Sequence, residues 1–365
     1  MINPNWIRYV ITFTSGWIIS LVLWRLLRID EIKAYLVFLH VNFSSLNFIL
    51  FISLVSLIAG LTFGSVQYYD DFVIRRKSSF ITTLFKSFIS HLIIMSFLYG
   101  LIFLAIKLSK INSNLEFSHF IRSPLIIINF IYSLIINAII VIIIHLNKLL
   151  GRGNLLKLLT GKFYRPKEEY RVFMFIDLQS STEIAERLGH ISYSKLIQDC
   201  FYDLSVFEKS KAEIYQYVGD EAVLTWKFHK NTSLNTLIGA FFQYKKEFEL
   251  KSKYYMSEYG VVPIFKAGMH LGEVTVVEVG SLKREIAYHG DTLNITSRIQ
   301  AQCKVFEKEF LISQTLFDVI DDKSRFEYET LKEVLLRGKK ESTMLISVSK
   351  KTADNITRTF RQSIN

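Results

Sequence analysis

Three short segments carry residue types that chemistry could use. The first is Arg171-Val-Phe-Met-Phe-Ile-Asp177, an almost wholly apolar run that ends in a carboxylate and leads into Leu178-Gln179-Ser180-Ser181-Thr182-Glu183. The second is Gly219-Asp220, set between two alternating apolar runs, and the third is Gly290-Asp291-Thr292-Leu293-Asn294, continuing to Arg298. Brought together, Asp177 and Asp220 could hold two divalent ions, the arrangement used for in-line phosphoryl displacement. Asn294 and Arg298 are four apart and share one face if helical, where an amide and a guanidinium suit a ribose oxygen and a phosphate. Each has a plainer alternative: a capped helix after Asp177, a turn residue at Asp220, a surface pair of Arg298 with Glu285 or Asp291.

The elements that must position these groups follow from pattern. An apolar run closed by Asp177 predicts a strand buried on both faces. Ser180 with Glu183 fits a capping box and Gly189 a C-terminal stop, so the expectation is strand, tight turn, helix. A helix N-terminus there offers free N–H groups, which makes Ser180, Ser181 and Thr182 candidate phosphate-binding residues. Alternating runs on either side of Gly219-Asp220 predict a hairpin with the carboxylate at its tip.

Taken in order, these segments resemble the catalytic domain of the class III nucleotide cyclases, over roughly Tyr170–Val348. "FIDLQSST" looks like that family's first metal motif, which implies Asp177 as a ligand and Leu178 as a backbone-carbonyl contributor. "VGDEAVLTW" looks like the second, with Asp220 as the other ligand, and "FKAGMHLGEV" resembles the strand before the substrate loop. "AYHGDTLNITSRIQ" looks like the transition-state segment, implying that Asn294 orients the ribose and Arg298 stabilises charge on phosphate. "LLRGKKES" resembles the late hairpin whose lysine grips the triphosphate; Lys339 aligns best, with Arg337 and Lys340 beside it.

The resemblance implies an α+β domain, a ferredoxin-like mixed sheet with flanking helices, working as a head-to-tail dimer. One subunit would supply the aspartates and the other the Asn and Arg; since this chain has both sets, a homodimer is the economical form. It further implies two divalent cations (Mg²⁺ or Mn²⁺), no organic cofactor, and attack of a ribose 3′-oxygen on the α-phosphate of a nucleoside triphosphate. Two positions that select the base in the family depart from its pattern. Gln216 stands where adenylate enzymes have Lys and guanylate enzymes Glu, and Ala287 where adenine sites have Asp or Thr and guanine sites Cys. Gln216 can donate and accept, whereas Ala287 forms no side-chain hydrogen bond. ATP is favoured, with GTP, CTP and UTP open.

The remainder of the 365 residues sets the context. Half are hydrophobic, 21% are charged and the net charge is +11. The basic residues are scattered, which suits a membrane surface before nucleic acid; no nucleic-acid partner is expected. Two cysteines, Cys200 and Cys303, exclude a disulfide scaffold and a cysteine zinc site. Four apolar stretches, about Trp6–Leu27, Leu46–Val66, Phe80–Ile106 and Pro124–Leu146, are each near the length that spans a hydrocarbon core. The first, bracketed by Arg8 and Arg25, is too long for a cleaved signal peptide.

The expected organisation is a four-helix membrane domain over 1–147, a connector over 148–169, the catalytic domain over 170–349 and a basic tail over 350–365. Arg75-Arg76-Lys77, together with Lys148, Arg152, Lys157 and Lys162, place both termini and the catalytic domain in the cytoplasm of a multi-pass protein of the cell (inner) membrane. Arg28, Lys33, Lys107, Lys110 and Arg122 in the other loops run against that orientation. His91 and His145 could serve a haem or metal between helices, but hydrogen-bonded or interfacial histidine is the plainer reading, as it is for His40 and His119. Tyr68-Tyr69-Asp70-Asp71 suggests an interfacial aromatic anchor with a solvated acidic pair. Two rival classes remain: a catalytically silent tethered binding module, and a transporter, which the lack of acidic residues within the spans disfavours.

Overall fold

The computed structural model describes residues 4–28, 45–71, 79–108, 116–151, 153–335 and 342–351. The chain divides into two compact units, Met1–Leu149 and Leu150–Asn365.

The first unit is helical: α1 (Pro4–Leu27), α2 (Ser45–Tyr69), α3 (Phe80–Leu108), the short α4 (Phe117–Arg122) and α5 (Pro124–Leu150). Four of these helices are long and apolar enough to cross a membrane. Large apolar side chains such as Ile11, Ile81 and Phe97 face outward, an arrangement lipid accepts and water penalises. Inside, Phe13, Trp17, Phe63, Met95 and Ile140 form the core. Gly60 and Gly64 let α2 approach α1: a Cβ on Gly64 would lie 2.9 Å from the Val10 Cα, the close backbone contact small residues permit between membrane helices.

Several polar groups of this unit meet one another. His91 is fully buried, 3.0 Å from the Ser133 hydroxyl, and Asn137 donates to Ser87 at 2.9 Å. His145 lies against Phe80, their ring centroids 4.5 Å apart. No two of the described histidines meet as a haem pair would require; His40 lies outside the described residues. The Asp70-Asp71 pair departs from expectation: Asp70 is ion-paired with Lys86, and Asp71 with Lys148 at 2.6 Å. Two carboxylates at the apolar boundary are neutralised rather than solvated.

The second unit is built on an eight-stranded sheet: β1 (Lys167–Leu178), β2 (Glu213–Val218), β3 (Glu221–Lys227), β4 (Phe265–Val279), β5 (Glu285–His289), β6 (Phe310–Ser313), β7 (Phe326–Val334) and β8 (Thr343–Lys350). The spatial order is β2-β3-β1-β4-β6-β8-β7, with β5 paired to β4. The β4–β6 pair is parallel and the others antiparallel, so the sheet is mixed, as expected. The flanking helices are α6 (Asn154–Leu159), α7 (Ser181–Asp203), α8 (Leu234–Leu250), α9 (Ser252–Tyr259), α10 (Asp291–Val305) and α11 (Gln314–Asp318).

Strand alternation sorts the core. Val172, Met174, Ile176 and Leu178 point to one face and bury Leu196, Phe241 and Tyr255 of α7, α8 and α9. Phe173, Phe175, Val223 and Tyr288 point to the other. There α10 lies on β4, and Gly268 is required: a Cβ would sit 2.3 Å from the Gln300 backbone nitrogen. The turn after β1 corrects the capping expectation. Ser180 is left-handed (φ 56°, ψ 31°) and its side chain caps nothing, so the Ser180–Glu183 box does not form. Gly189 breaks the helical path (φ 72°, ψ 163°), but the chain resumes a helix and α7 runs on to Asp203.

One charged network is buried in this sheet. Arg171, 2% exposed, donates to Glu169 at 2.7 Å, Glu213 at 2.9 Å and Thr225 at 3.1 Å. Burial alone would raise the Glu169 carboxyl, but hydrogen bonds from Lys227 and Arg171 overcome it and hold it below the ordinary glutamate range. A carboxyl lowered on folding contributes stability above about pH 4.5 that fades as pH falls through its folded value. Glu169→Gln is therefore expected to cost about 1–3 kcal/mol at pH 7, by leaving Arg171 under-partnered. Thermal unfolding of the full chain at pH 7 and pH 4 checks this: the gap between wild type and variant should narrow at the lower pH.

Candidate active site

The apolar register that buries Ile176 and Leu178 on one face turns Asp177 to the other, at the C-terminal end of β1. Asp177 pairs in register with Glu221 of β3 on one side and Lys266 of β4 on the other. The two-residue turn Gly219-Asp220 joins β2 to β3 and places Asp220 beside the strand end. Asp177 is pushed up to about 6, first by burial and then by the Asp220 charge, with which it shares a hydrogen bond; Gln300 opposes this, donating to Asp177 at 3.4 Å. Glu221 is pushed up to about 7 by burial and then by the charges of Asp177 and Asp220.

The Asp220 Oδ2 atom is buried and has no hydrogen-bond partner. Neither aspartate carries an ion pair among the described residues, and the Lys266 ammonium points instead to the Cys303 carbonyl at 3.4 Å. Clustered carboxylates with no cation of their own fit a divalent metal, whose charge would remove both the repulsion and the orphaned oxygen.

Directly after the pair, Leu178 ends β1 with its side chain buried, and the N–H of Gln179 is bonded to the Ile264 carbonyl at 2.8 Å. Ser181 and Thr182 form the first turn of α7, so the left-handed Ser180 brings a helix N-terminus beside the carboxylates. Tyr193 belongs to the same corner. Burial and then Asp220 raise its phenol, which hydrogen-bonds Ser181.

Asn294 and Arg298 lie on α10, Asn294 exposed and Arg298 half-buried. The buried side of this helix is Thr292, Thr296, Ile299 and Cys303. At about 100° per residue, Gln300, which faces Asp177, is about 200° round the helix from Arg298. Arg298 therefore lies on the far side of α10 from the side chain that meets Asp177, and Asn294 about 120° round from that side chain. No surface pair holds Arg298 among the described residues; Glu285 is paired with Lys283 at 2.9 Å.

The base-selecting candidates lie on strands that do not pair with each other, Gln216 exposed on β2, which pairs with β3, and Ala287 buried on β5, which pairs with β4. Their sequence neighbours Tyr215 and Tyr288 meet edge to face, 4.9 Å between centroids. Lys339 and Arg337, with Lys340, lie outside the described residues. Sequence reasoning missed Glu221, Gln300 and Tyr193. Glu221 adjoins the Gly-Asp turn in plain view, but its role depends on the β1–β3 register, and the other two depend on helix packing.

Comparison with known proteins completes the picture. The family described as Adenylate and Guanylate cyclase catalytic domain matches residues 164–348. A curated relative, Adenylate cyclase 2 of Rhizobium meliloti (strain 1021), is 31% identical over 211 residues, 58% of this chain and 58% of that protein. The match thus spans under two thirds of the relative's length. Among solved structures, a bacterial light-regulated adenylyl cyclase, 16% identical, aligns with a TM-score of 0.52 over 67% of this chain and 73% of that one, a likeness of fold. The adenylyl cyclase CyaB from P. aeruginosa, 17% identical, gives a TM-score of 0.46 over 52% of this chain and 98% of that one.

Proposed function

The chain belongs to the adenylate and guanylate cyclase catalytic domain family, and on that premise we propose that it converts ATP to 3′,5′-cyclic AMP and pyrophosphate at the inner face of a cell membrane. The observation that carries this is the Asp177–Asp220 pair, with its orphaned, buried Oδ2. Four apolar helices over 1–147 would anchor it, 148–169 would connect, 170–349 would catalyse and 350–365 would trail as a basic tail. Nucleotide supply and Lys148, Lys157 and Lys162 after the last span favour a cytoplasmic catalytic domain, with both termini on that side.

Asp177 and Asp220, with the Leu178 carbonyl, would hold divalent cations. No cluster of three or more His, Cys, Asp or Glu side chains is set to hold a metal among the described residues, so the substrate phosphates would complete the shell. Bound there, such ions would lower the pKa of the ribose hydroxyl and neutralise the leaving phosphates. The chain's own groups do the remainder. N–H groups of the Ser180–Thr182 turn receive phosphate oxygens, and Lys339 and Arg337 would reach the triphosphate. Asn294 orients the ribose so that its 3′-oxygen lies in line with the α-phosphate, and Arg298 offsets charge gathering on that phosphate. The position of Arg298, across α10 from the side chain that meets Asp177, supports a head-to-tail homodimer in which it meets the aspartates of a second copy.

The test supplies the full-length protein with Mg²⁺ or Mn²⁺ and, separately, ATP, GTP, CTP and UTP, and identifies the products by mass spectrometry. A cyclic nucleotide that Asp177→Ala abolishes establishes the enzyme. No product from any nucleotide, with a folded dimer, overturns it in favour of a silent binding module. Base choice has its own prediction. Gln216→Lys with Ala287→Thr, which installs hydrogen-bonding groups where Ala287 has none, is expected to raise the ATP-over-GTP ratio of kcat/KM by roughly 10–100-fold. Competition between the two nucleotides checks it.

A further inference from the structure

The connector between the last long helix and the sheet ends in a specific contact. Lys157 of α6 places its Nζ 3.0 Å from Glu213 Oε2. That same oxygen accepts from Arg171 Nη2 at 2.9 Å and from the Tyr288 hydroxyl at 3.3 Å. The Arg171 guanidinium also lies over the Tyr288 ring, 4.8 Å from its centroid. One carboxylate oxygen thus ties together α6, β1 and β5, while Glu213 itself opens β2.

The two tied strands are those that carry the base-selecting candidates. Gln216 lies three residues after Glu213 on β2, and Ala287 immediately before Tyr288 on β5. A second fastening runs alongside: Phe163 is 2% exposed in the core under Tyr288, and its carbonyl accepts from the Glu278 N–H at 2.8 Å. Glu278 pairs with Ile286 and its neighbour Val277 with Ala287. Leu158 of α6 packs against the same core. The connector therefore meets β2 and β5, joined to each other through Glu213 and Tyr288, at a charged contact, and the β4–β5 side at an apolar one.

We propose that Glu213 is a positioning residue that sets the spacing of β2 and β5, and hence of Gln216 and Ala287, and that Lys157 is the group through which the connector biases it. The assignment of base reading to those strands rests on the function proposed above. Glu213 touches no reacting atom in this scheme; it acts through the strands. Because base contacts are made equally in the ground and transition states, loosening them should raise KM and leave kcat alone. The β2 register is interrupted between Ile214 and Gln216, so the ladder to β3 is locally broken next to Gln216.

The test compares wild type, Lys157→Met and Lys157→Arg in the full chain, in lipid nanodiscs. Lys157→Met removes the charge and keeps the apolar stem, and a partly exposed ion pair contributes at most about 1 kcal/mol, so the fold survives. Backbone hydrogen exchange is read first, without nucleotide. Exchange at β2 and β5 is expected to rise up to about fivefold in Lys157→Met, to recover in Lys157→Arg, and to stay unchanged at β6 and β8. KM for the nucleotide is expected to rise roughly 3–5-fold with kcat within about twofold, again recovering in Lys157→Arg. Unchanged exchange at β2 and β5 overturns the proposal, as does a loosening spread evenly over the sheet. Wild type that makes no cyclic product overturns the enzyme assignment instead, and the exchange pattern still decides the coupling.

Discussion

Asp177→Asn is expected to lower turnover by roughly 10³-fold, the rate equivalent of the several kcal/mol that a bound divalent cation supplies to such a reaction. The same substitution is expected to stabilise the metal-free protein. Asp177 stands beside Asp220 and Glu221 with no cation among them, and burial followed by the Asp220 charge raises its carboxyl to about 6. Replacing the carboxylate by an amide of equal size removes that repulsion at pH 7.5, a gain of about 1 kcal/mol once solvent screening is allowed for. Stability and activity thus move in opposite directions, so lost turnover cannot be attributed to unfolding. Thermal unfolding with and without Mn²⁺ checks the pairing. Mn²⁺ should raise the midpoint of wild type, while the variant should start higher without metal and gain little from it. A variant that unfolds at a lower temperature than wild type without metal would show the carboxylate to be structural.

What the sequence disclosed of this site follows from the range of the interactions that build it. The run from Arg171 to Asp177 could be read as a buried strand because its pattern is local, and the Gly219-Asp220 hairpin because a two-residue turn has its own chemistry. The helical spacing of Asn294 and Arg298 was equally local. The cap at Ser180 was misjudged because a tight approach to α7 drives that residue into the left-handed region, where its side chain cannot reach back to the helix. Gly189 ends one helical path, but the chain continues as a helix because Leu196, Ile197 and Cys200 have a sheet face to bury against. Of the partners of Arg171, Glu213 and Thr225 lie 42 and 54 residues away, and the Glu213–Tyr288 contact spans 75. Such partners have no periodic signature, since only strand order and register bring them together. Gln300 lies in that class as well: its amide meets Asp177 because Gly268 allows α10 to sit directly on β4.

Mixing two inactive variants is expected to restore activity. Arg298→Ala alone should lose about 10²–10³-fold, the cost of removing one group that stabilises transition-state charge, and Asp177→Asn loses its turnover as above. On α10 the side chain that touches Asp177 is Gln300, and Arg298 lies across the helix from it, which is the geometry expected if a site is completed by a second chain. In a head-to-tail dimer each site takes its aspartates from one chain and its Asn294 and Arg298 from the other. A mixed dimer then has one site with both defects and one with neither. Random pairing makes half the dimers mixed, each with one of two sites intact, so the mixture should recover about one quarter of wild-type turnover. Co-expression with two different tags, purification through both and a turnover assay read this directly, and doubly selected dimers should reach about one half. Recovery requires that the two defects segregate to different sites, which a site closed within one chain cannot provide. Failure of the doubly tagged dimer to exceed either parent would place Arg298 and Asp177 in the same chain's site, or remove Arg298 from the chemistry altogether.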